Sequence, residues 1–560
     1  MGDSRARNLC NLTRAVMPMY KPFKAELGAN GIEMARCLPG ERPRKRCWRH
    51  VGKQCLLAIC WFARQPTIAF LVVLLSGFFL LNYQLEAKSL WVDELFTAQV
   101  AAMSLTRVPA AVAADFHPPF YFLLIGLWAR LSGGSEFALR WPSVFAAMIG
   151  LCLTYRLGIC LGSRRMALLC AAILAFSPFF IEFSRMARYY SWTLALGTLA
   201  TLLLIFAWRS DQIRLWVGYS LVSALLLYTF YLCILLLLAH GLAVVLYAAP
   251  RQRKRWLLSF ALAVLCFLPW TGVALGQVSR SGIMGPADFA GRLSGLLLAF
   301  LYPFYAFSVG ETIFPWFPTA VLATVAWLWL VGYGLFRFPN PWRNLLSFLV
   351  VVPILTTAGI VTYISTGTPF LNAPVRAFFV LPYFFILGTT GWDALSSLFW
   401  KSVFGALIGL TWVVSLVNCY TGRQYLNPNY IIPAREVAQK IAVEAGPQDV
   451  VIGEWDSGFS YYFQQQKSAA IYLEASQADE VIRFLTHHAP ERVWLVTIGR
   501  DRTREATPVK VINWLFANYR LIEEQGYVEQ DPIYRRIKEW LLHRPAYEYK
   551  LLVRRFKRQP

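Results

Sequence analysis

Apolar residues run along this chain in stretches of bilayer length, separated by short segments rich in Arg and Lys. Some twenty apolar residues suffice for a helix to cross a hydrocarbon core. The pattern therefore predicts spans at 67–85, 141–157, 166–184, 187–208, 215–231, 232–249, 256–275, 313–336, 345–364, 377–399 and 403–419, about eleven in all. The stretch 120–131 is too short to cross at about twelve residues. It and 96–112 predict helices lying in the interface, within one loop between the first and second spans. Residues 276–312 read as a long external segment.

The pattern changes after 419. Val450-Val451-Ile452-Gly453 and Val493-Trp494-Leu495-Val496-Thr497-Ile498 predict buried strands, and Tyr547–Phe556 a final strand. Ala434–Ala445 and Ala478–His487 predict amphipathic helices. Strands alternating with helices suggest a small α/β domain. The expected organisation is a basic tail (1–66), a polytopic α-helical membrane domain (67–419) and a C-terminal α/β domain (420–560).

Composition narrows the class. Of 560 residues 57% are hydrophobic and 21 are Trp, a balance outside that of ordinary water-soluble domains. The net charge of +23 could signal nucleic acid. No soluble stretch carries a basic and aromatic module, however, and in a membrane protein such an excess marks cytoplasmic loops and anionic headgroups. The tail is basic (Arg42, Arg44, Lys45, Arg46, Arg49, Lys53, Arg64), which predicts a cytoplasmic N-terminus and a first span that acts as a retained signal anchor. Alternation from there puts Arg156, Arg164, Arg209, Arg251–Arg255, Arg337 and Lys401 inside, and the 93–120 loop and the C-terminal domain outside. Met17, Met19 and Met34 leave a later start open. The eleven Cys lie almost entirely in the tail and the apolar spans, none in 420–560, so no disulfide framework is expected.

The polar residues predicted on the outer face form the candidate site. They are Asp93, Glu94, Asp115 and His117 from the first loop, Glu182, Arg185, Arg188 and Tyr189 around the turn after the third span, and Arg376 before the tenth. An unpaired buried carboxylate is costly, so two adjacent ones at a membrane boundary point to chemistry rather than packing. The plainer readings are a solvated helix end for Glu182, snorkelling for Arg185, an interfacial aromatic belt for Trp91, Tyr189 and Tyr190, and a helix start for His117.

Read in order, Asp93-Glu94, His117-Pro118-Pro119-Phe120-Tyr121, Ser135–Ser143, Ser177-Pro178, Ala187-Arg188-Tyr189 and Arg376–Pro382 resemble the GT-C type membrane glycosyltransferases. They are most similar to the group of dolichyl-phosphate-mannose protein mannosyltransferases and lipid A aminoarabinose transferases. The resemblance is closest over roughly 65–210; the tail and the C-terminal domain fall outside it. It implies transfer of a sugar from a polyprenyl-phosphate donor to an extracytoplasmic lipid, glycan or protein, by direct inverting displacement, in a bacterial-type plasma (inner) membrane. Asp93 would be the base, Glu94 would bind or orient the acceptor, and Arg188 would contact the donor phosphate, with Arg376 and Arg185 as further candidates. Many relatives carry Lys where this chain has His117, which weakens a phosphate role there. No cofactor is certain. His117 and Glu94 would offer a divalent metal two ligands, too few to define a site. The alternatives are a secondary transporter or lipid flippase, against which no internal repeat is seen, and a non-catalytic scaffold.

Overall fold

The computed structural model describes residues 66–280, 289–364, 373–499, 507–542 and 545–559. The chain divides into Met1–Arg64 and Gln65–Pro560. The expectations for the basic tail and the start position lie outside the described residues.

The first helix, α1 (Pro66–Asn82), is followed by three shorter ones: α2 (Val92–Ala102), α3 (Val108–Ala114) and α4 (Phe120–Ser132). Of the two short helices expected between the first two spans, 120–131 corresponds to α4, whereas 96–112 is divided between α2 and α3. Then come α5 (Glu136–Leu161), α6 (Arg164–Phe176), α7 (Pro178–Ser184), α8 (Tyr190–Ser210), α9 (Ile213–Leu227), α10 (Ile234–Tyr247) and α11 (Pro250–Arg280). After these follow α12 (Phe289–Val309), α13 (Pro318–Arg337), α14 (Trp342–Ile364), α15 (Leu381–Ala394) and α16 (Leu398–Thr421). Among the described residues six helices are long and apolar enough to cross a membrane, or seven if the bent pair α6–α7 counts as one span. Others, including α1, α9 and α10, are apolar but shorter. The protein is thus a multi-pass membrane protein. Leu257, Leu258, Leu265 and Leu268 of α11 are each at least 57% exposed, as side chains facing lipid would be.

One element departs from expectation. The segment read as external, 276–312, is largely helical, because α11 continues to Arg280 and α12 follows. Residues 295–309 are apolar, and α12 packs against α13 and α14. Gly295, Pro303 and several Tyr and Phe dilute the aliphatic run, which hid the helix from a hydropathy reading.

Local signals set the helix ends. Ser135 caps α5 by accepting from Ala138 N at 3.2 Å, and Ser163 caps α6 by accepting from Met166 N at 3.1 Å. Ser177 ends α6 and caps α7, accepting from Phe180 N at 3.3 Å. Pro178 cannot donate to the preceding turn, so the two helices meet at a 59° bend. Helices α13 and α15 cross backbone to backbone: a Cβ on Gly334 would stand 1.9 Å from Leu387 O, and one on Gly391 would stand 2.0 Å from Leu330 O. Small residues at a crossing let membrane helices approach closely.

The C-terminal region opens with α17 (Ala434–Glu444) and builds a five-stranded sheet from β1 (Val450–Gly453), β2 (Ile471–Glu474), β3 (Arg492–Ile498), β4 (Tyr519–Glu529) and β5 (Tyr549–Arg558). The order is β2-β1-β3-β5-β4. Strands β1, β2 and β3 are parallel, and β5 is antiparallel to both β3 and β4. Helices Ala478–His488, Thr507–Asn518 and Pro532–Leu542 connect the strands. Parallel strands buried on both faces read as continuous apolar runs, which is why β1 and β3 are visible in the sequence. Strand β4 is not, because Glu523 and Glu524 lie on it, paired with Arg555 and Arg554 of β5.

This region is bound to the segment between α1 and α2. Tyr462 Oη accepts from Leu90 N at 2.7 Å and donates to Glu136. Arg435 pairs with Glu136, and Ser89 Oγ donates to Glu436 at 3.1 Å.

Candidate active site

The site is assembled at the start of α2. Asp93 and Glu94 lie in its first turn, where carboxylates complement the helix dipole. Glu94 is 1% exposed. Its Oε1 accepts from Arg140 Nε at 2.9 Å and from Ala187 N at 2.7 Å, and its Oε2 accepts from an Arg140 terminal nitrogen at 2.7 Å. The remaining Arg140 donors bind the carbonyls of Leu85, Lys88 and Ser89 at 2.8–3.1 Å. Glu94 was expected to bind or orient the acceptor. Instead it is enclosed, and both oxygens are committed to protein donors. It ties α2 to α5 and to the segment carrying Arg188.

Asp93 projects the other way and its side chain is 40% exposed. Its carboxylate lies 3.5 Å from the Arg188 guanidinium, whose Nη1 donates to the Asp93 carbonyl at 3.1 Å. Arg188 is itself 2% exposed. Its Nη2 donates to His117 Nε2 at 2.7 Å, and His117 Nδ1 is 2.7 Å from Asp115 Oδ2. Since Arg can only donate, Nε2 must be the acceptor and Nδ1–H the donor to Asp115. The order is therefore Asp115, His117, Arg188, Asp93, with a neutral imidazole in the middle. Burial and then the Arg188 cation hold the His117 pKa below the ordinary histidine value, against the pull of Asp115. Burial alone would raise the Asp115 carboxyl, but the His117 hydrogen bond, the nearby Arg188 cation and the Phe116 backbone hydrogen bond bring it below its usual value.

Aromatic rings pack this line. The Arg188 guanidinium lies 5.1 Å from the centroid of Tyr189, which stacks on Phe230 at 4.7 Å. Arg376, at the end of the short helix Ala373–Arg376, is half-buried and close enough to Tyr189 to act on its phenol electrostatically. No carboxylate among the described residues pairs with it.

Two other expected residues lie apart from this line. Arg185 donates to the carbonyls of Tyr83 and Gln84 at 2.5 and 2.7 Å and lies over the Tyr420 ring at 4.7 Å. Through Nη2 it latches the segment after α1. Glu182 is buried at 4% exposure in α7 and faces a cavity of about 50 Å³ shared with Lys88, Arg185 and Arg140, not with Asp93. The metal pairing of His117 with Glu94 does not fit, because the nitrogens of one and the oxygens of the other are already engaged. Among the described residues no group of three or more His, Cys, Asp or Glu could hold a metal ion.

Arg140 was missed as a site residue, although a lone Arg just inside an apolar helix is a signal in itself. Tyr462 and Glu136 were missed because their partners lie hundreds of residues away.

No curated protein sequence matches the chain significantly. Residues 116–272 match the family model of dolichyl-phosphate-mannose-protein mannosyltransferases. Among solved structures, the apo form of the Archaeoglobus fulgidus oligosaccharyltransferase is similar at 10% identity, over 88% of each chain, with TM-score 0.51. ArnT from Cupriavidus metallidurans, bound to undecaprenyl phosphate, aligns at 12% identity over 87% of this chain and 97% of its own, with TM-score 0.48. The chain has the fold of the GT-C glycosyltransferases and, over residues 116–272, resembles the dolichyl-phosphate-mannose-protein mannosyltransferase family.

Proposed function

We propose that this protein is a membrane glycosyltransferase that moves a sugar from a polyprenyl-phosphate donor to an acceptor hydroxyl, with Asp93 as general base. The observation that carries the reading is the half-exposed Asp93 carboxylate, held beside a buried Arg188 that Asp115 and His117 orient from behind. The fold and the family match over 116–272 support it.

In the reaction the acceptor oxygen forms a bond to the anomeric carbon while its proton passes to Asp93. The bond from that carbon to the phosphate oxygen breaks on the opposite face, which inverts the anomeric configuration. The electron pair leaves on the phosphate, whose growing charge calls for fixed cations. Arg376 has no carboxylate partner among the described residues and becomes the leading phosphate ligand. Arg188, already facing Asp93, would set the electrostatics between base and leaving group. We further propose that the reaction occurs on the extracytoplasmic face of a bacterial-type inner membrane, with 67–419 as the catalytic domain and 420–560 on the same side.

Asp93→Asn tests the reading. Sugar transfer in isolated membranes is expected to fall by about 10²–10⁴-fold, the range for loss of a general base, with unchanged expression and melting. Mass spectrometry of envelope glycolipids should then show a polyprenyl-phosphate sugar accumulating. Transfer at wild-type rate would remove Asp93 from the mechanism.

A further inference from the structure

A cavity of about 720 Å³ lies away from Asp93, between residues 87–89, the end of α16 with the turn after it, and the junction following β4. Its size falls within the usual range for small-molecule sites. Its walls combine the rings of Phe314, Tyr420 and Tyr534 with the carboxylates of Glu436, Glu529 and Asp531. The cations are Lys88 and Arg423, and Lys88 is already engaged by the Cys419 carbonyl at 2.6 Å and by the Tyr425 hydroxyl.

The lining selects among ligands. Three carboxylates against two cations make a poor host for a phosphate or another anionic headgroup. So many charged groups would also repel an acyl chain. A neutral sugar fits both halves, since its hydroxyls donate to carboxylates and its C–H faces lie against aromatic rings. Val528 and Gln424 on the wall adopt left-handed backbone at φ 58° and 52°. For a β-branched residue such as Val528 this is a strained state, of the kind that gathers at ligand-holding segments. Lys88 and Tyr425 also line the 50 Å³ cavity that Glu94 and Arg140 wall, so the larger cavity adjoins the frame that holds α2.

We infer that this cavity is a saccharide subsite that holds a neutral sugar residue of the acceptor at a distance from the reacting hydroxyl. The acceptor class is then a glycan or glycolipid; this rests on the glycosyltransferase reading above. The test uses the full-length protein in lipid nanodiscs. Saturation-transfer NMR is recorded with three neutral disaccharides (chitobiose, maltose and mannobiose), and undecaprenyl phosphate binding is measured separately. Thr421→Trp plugs the cavity from an exposed helix end, and Glu529→Gln removes an exposed acceptor. At least one disaccharide should give a signal that drops five-fold or more in both variants, with undecaprenyl phosphate binding unchanged. Absence of any disaccharide signal in the wild type, or a signal that survives Thr421→Trp, overturns the subsite. Loss of undecaprenyl phosphate binding in Thr421→Trp overturns it too, by assigning the cavity to the donor. Failure of the glycosyltransferase reading shows separately, as no undecaprenyl phosphate binding by the wild type.

Discussion

Successive residues on a helix project about 100° apart, so Asp93 can face Arg188 while Glu94 faces Arg140. The adjacent carboxylates noticed in the sequence thus separate into a half-exposed group beside Arg188, the proposed base, and a buried one paired with Arg140. His117 belongs to the Asp93 side only while neutral, because protonating Nε2 would remove the acceptor for Arg188 and set two cations face to face. Its native pKa lies below the unfolded value of about 6.5. The arrangement is therefore at full strength above about pH 6.5 and is lost as pH falls towards the depressed native value. Transfer by the wild type should decline once the pH falls far enough below 6.5 to protonate His117. His117→Gln keeps an acceptor for Arg188 and a donor for Asp115 but cannot titrate, so its pH profile should be flat over that fall. An acid limb of unchanged shape in the variant would place the titrating group elsewhere.

Among the elements, α2 packs on α4 through its apolar face and is joined to α5 by the buried Glu94–Arg140 pair. Removing one partner of such a pair leaves an uncompensated charge. Arg140→Met should cost about 3–5 kcal/mol, read as a lower thermal midpoint in detergent, and Glu94→Leu added to it should recover most of that loss. If the double variant melts no higher than the single one, the pair is not acting as a charge-compensated unit. Much at this scale was readable in the sequence. Long apolar runs marked the apolar helices, although six or seven are long enough to cross among the described residues against about eleven expected; the short run 120–131 gave α4, and the unbroken Val-rich runs gave β1 and β3. Helix α12 and strand β4 were not readable, because aromatic dilution in one and paired charges in the other conceal the period. For the candidate site, local order along the chain picked out Asp93, Arg188 and His117, which the structure brings together. The engagement of Glu94 and Arg185 was hidden, since it depends on Arg140, on the carbonyls of Tyr83 and Gln84, and on Tyr420.

Across the whole molecule, the C-terminal region supports the site without touching its reactive line. Tyr462 accepts from Leu90 N and donates to Glu136, while Arg435 holds Glu136 from the other side. Tyr462→Phe strips Leu90 N and Glu136 of a partner in one step. It should lower the rate of transfer several-fold while leaving undecaprenyl phosphate binding unchanged, a split that marks positioning rather than donor recognition. Equal losses in both would instead indicate general unfolding.

The same clamp bears on synthesis. Leu90 and Tyr462 are 372 positions apart. At about 5–20 residues per second, the ribosome needs roughly 20–75 s to pass from one to the other. Throughout that interval Asp93 is already made, but the segment leading into α2 lacks its far-side support. A growing chain therefore holds the proposed base before it holds the geometry that base needs, and a prematurely terminated chain never acquires it. On the proposed function, idle cleavage of a lipid-linked sugar by unfinished protein would be disfavoured by the order in which the parts emerge.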